Sequence, residues 1–241
     1  MQPPVEFRDT SADKAAVNAT LRIDPRRTAV LTVDMQRNYL DMQVAHSPVD
    51  PDEAERVLRH AKDLLDFARA EGMPVVHVYV SRRPFERDRR LVGAVADVRW
   101  QQRALREGKQ PPPDRAEGSP QAEVPAMLVA PGDIHVTTKK SLDSFLETDL
   151  DPLLRRALDV DTLIITGINT DTCVYCATFG ASNRGYRPIV VSDCVASSRG
   201  KDAHWMALEL MSRSIAWVLT ADELKDKVRA NSAVLAGAGA P

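Results

Sequence analysis

Apolar residues along this chain fall into two alternating patterns. Short runs rich in β-branched residues recur as TAVLTVD (28–34), MPVVHVYV (73–80), DIHVTTK (133–139), DTLIITG (161–167), RPIVVSD (187–193) and SIAWVLT (214–220). Each has the length and makeup of a buried strand. Between them, apolar positions repeat at helical spacing. PDEAERVLRHAKDLLDFARAEG places Ala54, Val57, Leu58, Ala61, Leu64, Leu65 and Ala68 on one face, and Gly72 closes it. DLDPLLRRAL carries Pro152 near its first turn, and TDTCVYCATFGASNRG ends at Gly185. DAHWMALELMSR has Ala203, Met206, Ala207 and Leu210 on one side, and TADELKDKV opens on the capping-box pair Thr220 and Glu223. Short strands alternating with amphipathic helices predict an α/β fold. The expected form is a six-stranded parallel sheet in a three-layer αβα, Rossmann-like arrangement.

The rhythm breaks over 81–132, which holds SRRPFERDRR, Trp100 and the run QPPPDRAEGSP. A long Pro-rich excursion inside a compact domain reads as a lid or binding loop. The ends are polar or small. Residues 1–20 read as an arm that packs on a partner subunit, and 226–241 as a C-terminal tail that frays. This leaves one domain over 21–225 with the lid as an insertion.

Composition narrows the function classes. The chain has 241 residues, 44% hydrophobic and 27% charged, with a formal net charge of -2. That balance favours neither nucleic acid nor an anionic membrane as partner. No apolar run has the length of a membrane span, and MQPPVEFRDTSADKAA lacks the basic-then-apolar order of a secretory leader. Three cysteines are too few for a disulfide framework, so a reducing, cytoplasmic setting is expected.

In an open parallel sheet, ligands bind outside the carboxyl ends of the strands. Asp34 ends the first predicted strand, Lys139 and Lys140 end the third, and Cys173 follows the fourth. An acid, a cation and a thiol therefore converge on one edge from distant parts of the chain. Thr170 is the expected N-cap of the following helix, which puts Cys173 in its first turn. Free amides and the helix dipole there, with a lysine nearby, are expected to lower the thiol pKa. The same amides suit an oxyanion.

Cys176 completes a C-x-x-C with Cys173, the spacing of a redox pair or half a zinc site. A zinc site needs further ligands, and Cys194 and five isolated histidines supply no second pair. Cys176 and Cys194 are therefore read as structural, and no metal or other cofactor is expected.

Three ordered blocks between about residues 26 and 200 resemble the isochorismatase-like cysteine hydrolases. They are TAVLTVDMQRNYLD, the stretch EGSPQAEVPAMLVAPGDIHVTTKKSLDSFLETDLDPLL, and TGINTDTCVYCATFGASNRGYRPIVVSDCVAS. The resemblance is to the amidohydrolase branch, similar to N-carbamoylsarcosine amidase. It implies the same six-stranded sheet and an Asp-Lys-Cys triad. The acid falls on Asp34 and the thiol on Cys173. Spacing back from Cys173 favours Lys140, but spacing forward to the nearer landmarks Phe145 and Thr148 selects Lys139, which is taken as the lysine of the triad because the turn before the fourth strand can absorb one residue. A cis peptide at Ile168-Asn169 is also implied, aiming the Asn169 and Cys173 amides at an oxyanion. The Asp-x-His metal motif of nicotinamide-hydrolysing members is missing from DMQVAHSPVDPDEAE, where His46 stands alone. Members that cleave the vinyl ether of isochorismate lack the cysteine.

The expected function is metal-free hydrolysis of a C–N bond in a small amide, carbamoyl or ureido substrate through a thioester. Tyr39, Trp100 and Arg82 are candidates to line the substrate pocket. The resemblance implies a homodimer or homotetramer. Two alternatives stay open: an isochorismatase-type vinyl-ether hydrolase, and a thiol redox or scaffold protein using Cys173 and Cys176.

Overall fold

A computed structural model describes residues 8–86, 102, 105, 106 and 115–238; of 232–238 only the backbone is described. Six strands form one sheet: β1 (Thr28–Val33), β2 (Val75–Val78), β3 (Ile134–Val136), β4 (Thr162–Ile168), β5 (Arg187–Ala196) and β6 (Trp217–Leu219). Their order is β3-β2-β1-β4-β5-β6, and every pairing is parallel. Helices among the described residues include α1 (Ser11–Thr20), α2 (Arg37–Leu40), α3 (Pro51–Ala70), α4 (Leu150–Pro152), α5 (Tyr175–Asn183), α6 (Lys201–Ser214) and α7 (Ala221–Ala238). A π-turn over Leu153–Ala157 extends α4, and another over Thr170–Val174 leads into α5.

Alternation along the buried strands divides the core in two, because successive side chains point to opposite faces. On one face Val30, Ile164 and Ile189 pack beneath Val57, Ala61, Leu64 and Leu65 of α3 and Leu224 and Val228 of α7. On the other, Leu31, Val33, Ile165 and Val190 meet Val174, Ala177 and Ala181 beside α5, and Leu208 and Met211 of α6. This is the expected three-layer arrangement. Strands β2, β3 and β6 are shorter than their apolar runs suggest, and β5 is longer, running on to Ala196.

Both ends differ from the sequence reading. Residues 11–20 are helical and lie on the chain's own β6, where Asn18 Nδ2 donates to the Val218 carbonyl (3.2 Å) and Lys14 pairs with Glu209. Polar contacts hold this helix and none of its residues is buried, so it leaves no apolar periodicity to read. The expected tail is helical to Ala238. The capping box forms as predicted, with Glu223 Oε2 accepting from the Thr220 N–H (2.8 Å). Asn231 then ties α7 to the Ile23 carbonyl.

The second half of the 81–132 insertion folds back on the sheet edge. Ala116 forms a parallel bridge with Arg82, and Gln36 Nε2 donates to the carbonyls of Val80 and Ala122, both at 2.8 Å. No helix among the described residues is long and apolar enough to cross a membrane.

Candidate active site

The strand order reverses between β1 and β4, so the crevice outside their carboxyl ends is the natural ligand position. Asp34 follows β1 directly. Its N–H extends the β1–β2 ladder by donating to Val78 (2.9 Å), and its φ of 49° turns the chain out of the sheet. Asp tolerates this left-handed conformation better than most side chains. The carboxylate is fully buried: Oδ1 accepts from the Val80 N–H (3.1 Å) and Oδ2 from Lys139 Nζ (2.6 Å).

Lys139 is also fully buried, on the extended segment beyond β3. A buried cation needs a partner at contact distance, and Asp34 is that partner. Lys140 points elsewhere. It reaches Ser81 O and Glu86 (3.1 Å) and lines a separate cleft of about 450 Å³ with Arg83, Thr138 and Glu147. Of the two lysines, Lys139 is therefore the one that meets Asp34.

Cys173 stands in the π-turn after β4, 5% exposed, close enough to Lys139 and Asp34 for both charges to act on its thiol. The acid, the lysine and the thiol are thus brought together. The thiol pKa, however, moves opposite to the sequence expectation. Burial pushes it up to about 12; Lys139 pulls it down, but less strongly, and the Asp34 charge adds to the rise. Desolvation of the anion outweighs the cation, so the resting group is a neutral thiol.

The turn that carries Cys173 is fixed by neighbours that sequence reading missed. The Ile168-Asn169 peptide is cis. Asn169, not Thr170, holds the cap position, and its Oδ1 accepts from the Ser198 N–H (2.8 Å). The expected Thr170 cap is absent because its hydroxyl is engaged by the buried His204 Nδ1 (2.8 Å). The Asn169 carbonyl accepts from Thr172 (3.2 Å) and Val174 (3.1 Å), the amides on either side of Cys173. Gly167, at φ 139°, brings β4 against β1 so closely that a Cβ would lie 2.1 Å from the Val33 carbonyl oxygen. Only glycine fits there.

The remaining candidates divide. Tyr39 on α2 and Arg82 after β2 are both buried at this edge. Trp100 lies outside the described residues. Arg115, which no motif pointed to, donates to the Tyr39 hydroxyl (3.0 Å), and its charge is close enough to lower the Cys173 pKa. Cys176 is half-buried and Cys194 fully so, and both are free thiols raised by desolvation. No group of three His, Cys, Asp or Glu among the described residues is disposed to hold a metal.

Residues 28–223 match the isochorismatase domain family. The chain is 28% identical over 215 residues to a probable isochorismatase of Pseudomonas chlororaphis, covering 89% of this chain and 93% of that protein. It is 30% identical over 181 residues to a maleamate amidohydrolase of Pseudomonas putida, covering 74% and 76%. Among solved structures, a cysteine hydrolase from Pseudomonas syringae pv. phaseolicola aligns with a TM-score of 0.71 at 25% identity, over 88% of this chain and 96% of that one.

Proposed function

The chain belongs to the isochorismatase family of hydrolases, and on that premise we propose that it cleaves a C–N bond of a small amide, carbamoyl or ureido substrate through a thioester on Cys173. One observation carries the reading: the buried Lys139–Asp34 pair (2.6 Å) stands at the end of β1, and the buried Cys173 follows the adjacent strand β4 at the same edge of the sheet. The maleamate amidohydrolase similarity supports the same reaction class.

The raised thiol pKa dictates the order of events. A free thiolate is too costly in the buried site, so Asp34 takes the proton as sulfur attacks the carbonyl carbon. The C=O π pair moves to oxygen, and the backbone amides of Asn169 and Cys173 hold this oxyanion. Asp34 returns the proton to the departing nitrogen as the C–N bond breaks. A water then gives its proton to Asp34 and attacks the thioester, and as the C–S bond breaks Asp34 passes that proton to sulfur, which restores the thiol and the carboxylate. Lys139, hydrogen-bonded to Asp34 Oδ2 at 2.6 Å, holds the carboxyl group in place between transfers. Tyr39 and Arg82 line the substrate pocket in this reading. No step calls for a metal, so chelators leave activity intact and the purified protein carries no stoichiometric zinc.

Ammonia release from a panel of amides, carbamoyl compounds and ureido compounds tests this. Wild type and Cys176→Ala turn over at least one member, whereas Cys173→Ala is inactive. Activity surviving in Cys173→Ala rejects the reading. Loss in both cysteine variants favours a thiol redox function instead. A second reading, vinyl-ether hydrolysis, draws on the similarity to a probable isochorismatase; it predicts turnover of isochorismate without an acyl-enzyme.

A homodimer or homotetramer is part of the proposal. Exposed Trp205, Met206 and Leu210 on α6 and Phe179 on α5 supply apolar surface for it. A monomeric mass by light scattering at micromolar concentration would count against it.

A further inference from the structure

The turn that carries Cys173 is tied along its length to one other segment. Residues 197–204 lead from β5 into α6 and reach each of the four residues before Cys173. The Ser198 N–H donates to Asn169 Oδ1 (2.8 Å), and Thr170 Oγ1 is hydrogen-bonded to His204 Nδ1 (2.8 Å). Ser197 Oγ donates to Asp171 Oδ1 (2.6 Å), and Arg199 Nη1 donates to Asp171 Oδ2 and Thr172 Oγ1, both at 3.2 Å. These contacts differ in weight. Arg199 is exposed, and an exposed ion pair contributes little. His204 and Thr170 are 3% and 0% exposed, so losing either strands a buried polar group. His204 is also firmly mounted. It lies in the buried stripe of α6 with Ala207, Leu208 and Met211, and its N–H donates to the Gly200 carbonyl (3.2 Å). A polar ring occupies a helix position where an apolar side chain would pack at no desolvation cost.

We propose that His204, by holding Thr170, is a positioning residue for the Cys173 sulfur and for the backbone amides of Asn169 and Cys173. This rests on reading Cys173 as the nucleophile. The turn's own hydrogen bonds do not do this job. The Thr172 and Val174 amides donate to the Asn169 carbonyl, which fixes the coil of the turn but not its place against the sheet. Contacts from 197–204 fix that place, and His204 supplies the buried side-chain one. Thr170 and Cys173 lie within one helical turn of each other, so a shift of the Thr170 hydroxyl is carried to the sulfur. Displacement moves the sulfur relative to Asp34 and the amides relative to the oxyanion. The transition state then loses stabilisation that the bound substrate does not yet use.

Two measurements on the full-length protein test this. The first is turnover of a substrate found by the amide panel. In His204→Leu, which keeps a buried side chain but no nitrogen, kcat falls about 10- to 100-fold while KM changes less than about threefold. His204→Asn, whose amide stands near the place of Nδ1, loses less, and Thr170→Ser loses less than Thr170→Val. Combining His204→Leu with Thr170→Val does no more harm than the worse single change, because both break one contact. A loss carried by KM, or losses that multiply in the double variant, overturn the proposal. The second measurement needs no substrate: iodoacetamide labelling at neutral pH, read by peptide mapping. Burial is the main cause that keeps the Cys173 thiol protonated, so a loosened turn labels faster at Cys173. The fully buried Cys194 on β5 keeps its wild-type rate. Unchanged labelling of Cys173 overturns the proposal, and so does equal acceleration at Cys194, which reports general loosening. Should His204→Leu not fold, Thr170→Val carries both measurements, and should no panel member be turned over, the labelling alone decides. Failure of the cysteine chemistry is recognised separately, by hydrolysis that survives Cys173→Ala.

Discussion

Asp34 does two opposing things to Cys173. Its charge favours the protonated thiol, while in attack it is the base that removes the proton. The two roles separate in Asp34→Asn. Removing the negative charge lowers the thiol pKa from about 12, so at any pH below it more thiolate is present and iodoacetamide labels Cys173 faster than in wild type. Turnover moves the other way, falling by about 10²–10⁴-fold as a positioned acid–base group is lost. Slower alkylation in this variant, followed by peptide mapping, would separate the acid from the thiol. Lys139→Ala leaves the Asp34 carboxylate buried and unpaired, which costs about 3–5 kcal/mol in urea unfolding and abolishes turnover. Lys140→Ala has little effect on either, since Lys140 lies in the neighbouring cleft. Chain order alone could not choose between these adjacent lysines. Asp34 and Cys173 were legible because each ends or follows an apolar run. The direction of the thiol shift was not, because helix start and nearby charge are written locally and burial is not.

At the scale of elements, the site depends on how closely β1 and β4 approach. Gly167 faces Val33 in register, with Asp34 one residue beyond. In Gly167→Ala, the methyl overlaps the Val33 carbonyl and the backbone conformation is unfavourable for any L side chain. A loss of about 2–5 kcal/mol in denaturant unfolding, with kcat falling more than KM rises, is expected as β1 is pushed from β4. An unchanged kcat would mean that Asp34 is not positioned through this contact. The six strands and the long α3 were readable because buried strands are continuously apolar and α3 repeats every third or fourth residue. The first helix was not, for it buries no residue. Arg115 was equally hidden. Its place depends on the insertion closing back onto Arg82, a contact between segments far apart in sequence.

For the whole molecule, two buried histidines make stability sensitive to acid. His77 lies between Thr32 Oγ1 (2.7 Å) and Asp133 Oδ2 (3.2 Å), and His204 holds Thr170. Burial lowers both from the ordinary histidine value of 6.5 to about 4. Between these values the unfolded chain binds a proton at each position and the folded chain does not. Stability therefore falls as pH drops from about 6.5 to 4, on the order of 2–3 kcal/mol per histidine, and this contribution levels off below. Urea unfolding across that range checks it; His77→Gln, if it folds, shows a shallower decline, and an unchanged slope would contradict the assignment. The parallel sheet brings the acid, cation and thiol to its switch point, and the central claim is that they act by passing the substrate's acyl or carbamoyl group through Cys173. Intact-protein mass spectrometry after rapid acid quench, during turnover of a substrate found by the amide panel, tests this most directly. The account predicts a covalent adduct equal in mass to the acyl or carbamoyl fragment, mapped to the Cys173 peptide and absent from Cys173→Ala. Turnover of a slowly hydrolysed substrate with the protein mass unchanged throughout would contradict it.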